Sequence, residues 1–100
     1  MSKATKNNGT FEALRTRDGM HYSANRERVR IDLAPADSFY HASLWYCDSL
    51  QADVIGFDAI HALGLLVGEM SEGAADAIIT LAKDLYQFIN RPARETYNSR

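Results

Sequence analysis

Residues 54–89 constrain the fold of this chain more than any other stretch. They hold much of its large apolar side-chain content, and the last part of the stretch shows the three- and four-residue steps that line one face of a helix. Ala74, Ile78, Leu81, Ala82, Leu85 and Ile89 mark that stripe. Asp53 stands where it can cap a helix over roughly 54–71, Gly73 breaks the chain after Ser71 and Glu72, and Asn90 and Pro92 stop a second helix over roughly 74–89. A helical hairpin is the expectation. Gly56, Gly64 and Gly68 fall inside its first helix, where each glycine costs about 1 kcal/mol against alanine. Gly64 and Gly68 lie one turn apart, and their bare face would let another helix approach closely. Ala75, Ile79, Tyr86 and Phe88 widen the second stripe beyond one face. That helix is expected between other elements or against a second copy of the chain.

Upstream, Arg28-Val29-Arg30-Ile31-Asp32-Leu33 alternates apolar and charged residues, the period of a half-buried strand. Asp18-Gly19 is a hairpin-type turn that would join a strand over 11–17 to one over 20–23. Asn25-Arg26-Glu27 would turn the chain into the third strand. The rival for 11–17 is a short helix capped by Thr10 and stopped at Gly19, since Glu12, Ala13, Leu14 and Arg15 all favour helix. Pro35 is expected to end the last strand. Asp37 or Ala36 then opens a helix carrying Phe39, Tyr40, Trp45 and Tyr46. Four aromatics within two turns cannot all face one core stripe. The expected fold is an α+β single domain over residues 1–100: a flexible lead-in (1–9), a small antiparallel β-sheet (about 10–33), a compact body of three α-helices (34–90) and a basic tail (91–100).

The net charge of -2 hides a split. Residues 1–30 carry seven basic groups against three acids, 31–90 carry Lys83 alone against nine acids, and 91–100 carry three arginines against Glu95. Basic ends therefore flank an acidic body. One cysteine, Cys47, excludes an internal disulfide and a cysteine-rich zinc site, and its acidic, aromatic surroundings suit a buried structural thiol. Met1-Ser2-Lys3 leads into polar residues, not a secretory core, and the apolar run 54–67 is too short for a membrane span and contains Asp58 and His61. A cytoplasmic protein without a membrane role is expected. Asn8-Gly9-Thr10 matches a glycosylation triplet that has no meaning without secretion.

No constellation of residues compels a chemistry. His21, His41 and His61 lack zinc-ligand spacing, and the glycines do not sit between a strand and a helix start as a phosphate loop requires. Neither enzyme, cofactor nor metal is expected. Arg15, Arg17, Arg26, Arg28 and Arg30 could line one face of the small sheet and hold phosphates, although the acidic body opposes this. The carboxylates Asp48, Asp58, Glu69, Glu72, Asp76 and Asp84 could instead meet a lysine- or arginine-rich partner.

In its size, its acidic body over 31–90 and its α+β layout without motifs, the chain resembles small phage-encoded inhibitors of the anti-CRISPR type, which bind multi-subunit CRISPR surveillance complexes. The resemblance implies a non-enzymatic inhibitor that occupies a nucleic-acid site by contacting the basic residues lining it. Two further readings stand beside it: a nucleic-acid-binding regulator using the five arginines, and an accessory subunit that forms a homodimer through the last helix.

Overall fold

A computed structural model describes residues 9–70 and 76–90. The chain folds back on itself four times, each time across only two residues: Arg17-Asp18, Glu27-Arg28, Asp37-Ser38 and Cys47-Asp48. Strands β1 (Thr10–Thr16), β2 (Gly19–Arg26), β3 (Val29–Ala36), β4 (Phe39–Tyr46) and β5 (Ser49–Gly56) therefore form an antiparallel meander in sequence order. Two-residue hairpins favour positive φ because that twist matches the flanking strands. Glu27 (φ 56°), Asp37 (φ 58°) and both Cys47 and Asp48 (φ 52° and 66°) adopt it. Each of the four turns contains one carboxylate.

Turns of one length fix the parity of β1 to β4, and a one-residue bulge resets it within β5. Phe11, Ala24, Ile31, Leu44 and Ala52 fall in one row across the sheet, and Ala13, Tyr22, Leu33, Ala42 and Val54 in the next. Both rows face the helices. Ala24, Ile31, Leu33 and Ala42 are wholly buried there. The edge strand β5 slips by one residue, so that Leu44 pairs with Ala52 but Trp45 with Leu50. Gln51 is the extra residue of this bulge, which also discourages further pairing at that edge.

Two helices cover this side. α1 (Ala59–Glu69) buries Ala59, Ala62, Leu63 and Leu66 against β3–β5. Asp58 caps it by accepting from the His61 amide at 2.8 Å. α2 (Asp76–Asn90) buries Leu81, Ala82 and Leu85. Phe88 of α2 lies 5.6 Å from the ring of Phe11, and Arg26 Nη2 donates to Asp84 Oδ2 at 2.9 Å, tying α2 to the end of β2.

The expected division of the chain is overturned. Among the described residues, five strands, not a sheet confined to 10–33, precede two helices, not three. Of the two readings of 11–17, the strand is the one that forms, over Thr10–Thr16. The expected helix at 37–50 is the β3–β4 turn, β4 and the start of β5, and its four aromatics are divided by a period of two: Tyr40 and Tyr46 on the helical side, Phe39 and Trp45 on the other. Asp37 is a turn residue and caps nothing. Asp53 lies in β5, and the first helix starts at Ala59 because Asp58 does the capping. Gly64 and Gly68 admit no close helix: nothing among the described residues lies within 4 Å of a side chain built on either. The lead-in at 1–8, the joint at Ser71-Glu72-Gly73 and the tail at 91–100 lie outside the described residues.

Pro35 does not end β3 but sits within it, opposite Tyr40. Extending the β2–β3 register two residues beyond the Tyr22–Leu33 pair sets Met20 opposite Pro35. That pair should exchange two hydrogen bonds, but proline has no N–H to give. The Tyr40 hydroxyl fills the gap from β4, donating to the Met20 carbonyl at 2.7 Å. Gly19, at φ 140°, leaves room beside this group, since a side chain there would meet the Tyr40 hydroxyl and Pro35.

Two sets of substitutions test these assignments. A Cβ on Gly56 would lie 2.5 Å and 2.6 Å from the backbone N and Cα of Ala62, where α1 crosses β5. Gly56→Ala should cost about 2 kcal/mol or more in urea unfolding, while Gly64→Ala should gain about 0.5–1 kcal/mol. Tyr40→Phe should cost about 1–2 kcal/mol by orphaning the Met20 carbonyl. Burial, and then the neighbouring Tyr22 and Asp58, raise the Tyr40 hydroxyl above the ordinary phenol value. The folded chain thus keeps this proton to higher pH than the unfolded chain. Its stabilisation is complete below about pH 10 and is lost as pH rises through the folded value. Alkaline unfolding of Tyr40→Phe should therefore be less steep than that of the parent protein.

Candidate functional site

Among the described residues, helices cover one side of the sheet only. Parity places Glu12, Ser23, Asp32, Ser43 and Asp53 in a row on the other side, one from each strand, alternating carboxylate and hydroxyl. On one flank of this row Leu14 pairs with His21, and Ala34, His41 and Ile55 are adjacent. On the other flank lie Thr10, Asn25, Arg30, Trp45 and Leu50.

The polar groups of this face hold one another. His41 Nε2 lies 3.1 Å from Asp53 Oδ2, and His21 Nε2 lies 3.8 Å from Asp32 Oδ1. Arg30 Nε donates to the other oxygen of Asp32 at 3.1 Å. The same guanidinium lies over the indole of Trp45, 4.9 Å from the ring centroid, and the indole N–H donates to Ser43 Oγ at 3.3 Å. Beside this corner, Arg28, Arg30, Trp45 and Cys47 border a shallow depression of about 230 Å³, together with Glu27 and Asp48.

The large apolar groups of this side stand exposed. Leu14 and Ile55 are each 63% exposed, and Phe57, which follows β5, is 73% exposed. Phe57 stands 6.3 Å from Phe39 and stacks on His61 at 5.0 Å, an arrangement fixed by its own amide, which donates to His61 Nδ1 at 2.9 Å. Leu50 and Phe39 are also exposed. Most of the exposed large apolar residues of the described chain thus lie on the uncovered side; Tyr46, Leu65 and Tyr86 lie elsewhere.

The residues singled out from sequence do not converge on one surface. Arg15 and Arg26 point to the helical side, Arg30 lies on the uncovered face, and Arg17 and Arg28 sit in turns at opposite ends of the sheet. The five arginines therefore line no common face. Of the acids, Asp48 is in the β4–β5 turn, Asp58 is the cap of α1, Glu69 ends α1, Asp76 opens α2 and Asp84 is paired with Arg26. Glu72 lies outside the described residues. Cys47 is exposed in a turn, not buried, because the turn backbone carries it past the edge of the core. Sequence reasoning missed Leu14, His21, His41, Asp32, Asp53 and Trp45 as a set. The alternation of 29–33 marks Asp32 as outward, but in β4 bulky residues at both parities leave no such signal.

No three residues among His, Cys, Asp and Glu are grouped to hold a metal among the described residues, and no described helix is long and apolar enough to cross a membrane. The arrangement suits contact: a flat surface with apolar points, hydrogen-bonding groups and fixed charges. Trp45 is the chain's one tryptophan and reports on this surface directly. Arg30→Leu should change stability by no more than about 1 kcal/mol, while making the Trp45 fluorescence more accessible to a soluble quencher.

No protein-family model matches this chain, and comparison with curated proteins and with solved structures finds no match.

Proposed function

We propose that the protein is a non-enzymatic binding protein that inhibits by contact, with the uncovered face of its sheet as the contact surface. The observation that carries this reading is the composition of that face. An antiparallel sheet with one side in water normally shows polar residues there. Here Leu14 stands exposed on one edge strand and Leu50 and Ile55 on the other, with Phe39 and Phe57 beside Ile55, and exposed apolar groups gathered on one face suit an interaction surface. Arg30 and Trp45 add the residue types favoured as interface anchors. The proposed compartment is the cytoplasm, where the exposed Cys47 stays reduced.

The resemblance to anti-CRISPR inhibitors in size and charge makes a CRISPR surveillance complex the first partner to test, with occupation of its nucleic-acid site as the proposed mode of inhibition. Added to such a purified complex, the chain should abolish binding of target DNA in a gel shift. Leu14→Lys with Ile55→Lys should remove the effect, and Tyr86→Lys, on the outer side of α2, should leave it intact. Failure of the tagged chain to retain any protein from a bacterial lysate at low salt would sink the binding reading as a whole.

A further inference from the structure

The chemistry of the uncovered face identifies the kind of partner it fits. We infer that it docks a folded protein whose own surface presents lysine and arginine side chains around apolar ones. The inference rests on the reading of this face as the contact surface and adds the character of what covers it.

Size argues for a folded partner. Five strands about 4.8 Å apart and seven or eight residues long, at about 3.3 Å each, make a platform of about 500–600 Å². With side-chain relief this approaches the roughly 800 Å² that each partner contributes to a standard interface. A small ligand would leave most of it bare.

Charge argues for a basic one. Among the described residues, Glu12, Asp32 and Asp53 face Arg30 alone on the platform. The turns at its two ends add Asp18, Glu27, Asp37 and Asp48 against Arg17 and Arg28. Seven carboxylates against three guanidiniums leave the platform and its ends at -4 with the histidines neutral. The helical side, with Asp58, Glu69, Asp76 and Asp84 against Arg15, Arg26 and Lys83, stands at -1. Without the turns, which border both sides, the exposed apolar side stands at -2 and is still the more acidic of the two. Apolar contact supplies the attraction at close range, and opposite charge orients the approach and excludes wrong partners.

The same charges disfavour a second copy of the chain. Two such faces packed together would bring the rows of carboxylates into one desolvated layer with a single arginine from each side, and unpaired buried charge is costly. They also disfavour nucleic acid, whose phosphates would meet the carboxylate row.

The test uses the whole chain, isotope-labelled, with three defined probes followed by amide chemical shifts: an arginine–leucine octapeptide, its glutamate–leucine counterpart and a single-stranded oligonucleotide. The arginine peptide should shift the amides of Glu12, Ser23, Asp32, Ser43 and Asp53 and lose roughly fivefold or more in affinity on raising salt from about 0.05 to about 0.3 M. Glu12→Gln with Asp53→Asn should weaken it comparably while the remaining spectrum stays folded. Shifts confined to the helices, or tighter binding of the oligonucleotide at Arg30 and Trp45, would overturn the inference. So would a dimer in sedimentation that Leu14→Lys with Ile55→Lys dissolves. If those lysine substitutions abolish inhibition but Glu12→Gln with Asp53→Asn leaves both inhibition and peptide binding unchanged, the contact face stands and the basic partner falls.

Discussion

Hairpin closure across two residues is the constraint on which the rest of the structure depends. A strand shows its two faces in strict alternation, so a turn of fixed length transmits that alternation unchanged from one strand to the next. Four equal turns carry it from Phe11 to Leu50. A turn longer by one residue at any of the four places would send the following strand's apolar set into water. The positive φ of Glu27, Asp37, Cys47 and Asp48 shows the backbone accepting a conformation that ordinary side chains resist in order to keep this count. Only in β5 does the count slip: the extra residue Gln51 shifts the strand by one and so brings Ala52, Val54 and Gly56 to the helical side.

This dependence explains which parts of the fold could be read from the residues. Val29-Arg30-Ile31-Asp32-Leu33 announces a strand because each inward residue is large and apolar and each outward one charged. β4 hides the same period. Its outward positions Phe39, His41 and Trp45 are as bulky as its inward Tyr40 and Leu44, so hydropathy alone gives no alternation, and clustered aromatics resemble a helix. Val54 and Ile55 joined the helical pattern for a related reason: strand and helix meet across Gly56 with only Phe57 and Asp58 between them. The second helix was legible because α2 buries one clear stripe. The ten-residue spacing of Asp18, Glu27, Asp37 and Asp48, to within a residue, was present throughout, but a carboxylate in a turn is too common a feature to reveal a repeat.

The candidate surface was hidden by the same misreading. Under a helix opened by Ala36 or Asp37, Asp53 is the cap of the next helix and Trp45 part of a surplus of aromatics. Folded as strands, these residues share a plane with Glu12, Leu14, His21, Arg30 and Asp32, which are distant in sequence. The charge split along the chain was real but misplaced in space: the acids of 31–90 divide between turns, sheet and helices, and the arginines of the first segment scatter to both faces and both ends. Charge counted along a sequence therefore says little about a meander, where neighbours on a face come from every strand in turn.

The Pro35–Tyr40–Met20 arrangement bears on cooperativity. A ladder between two strands normally completes itself, each strand supplying what the other lacks. Here the β2–β3 hairpin cannot, because the donor for its last acceptor resides on the third strand. The hairpin thus remains unfinished as an isolated unit, and β4 contributes to a pairing in which it is not one of the partners. Two-body interactions between adjacent strands are converted at this point into a three-body one, binding the middle of the sheet into a unit that gains or loses its order together.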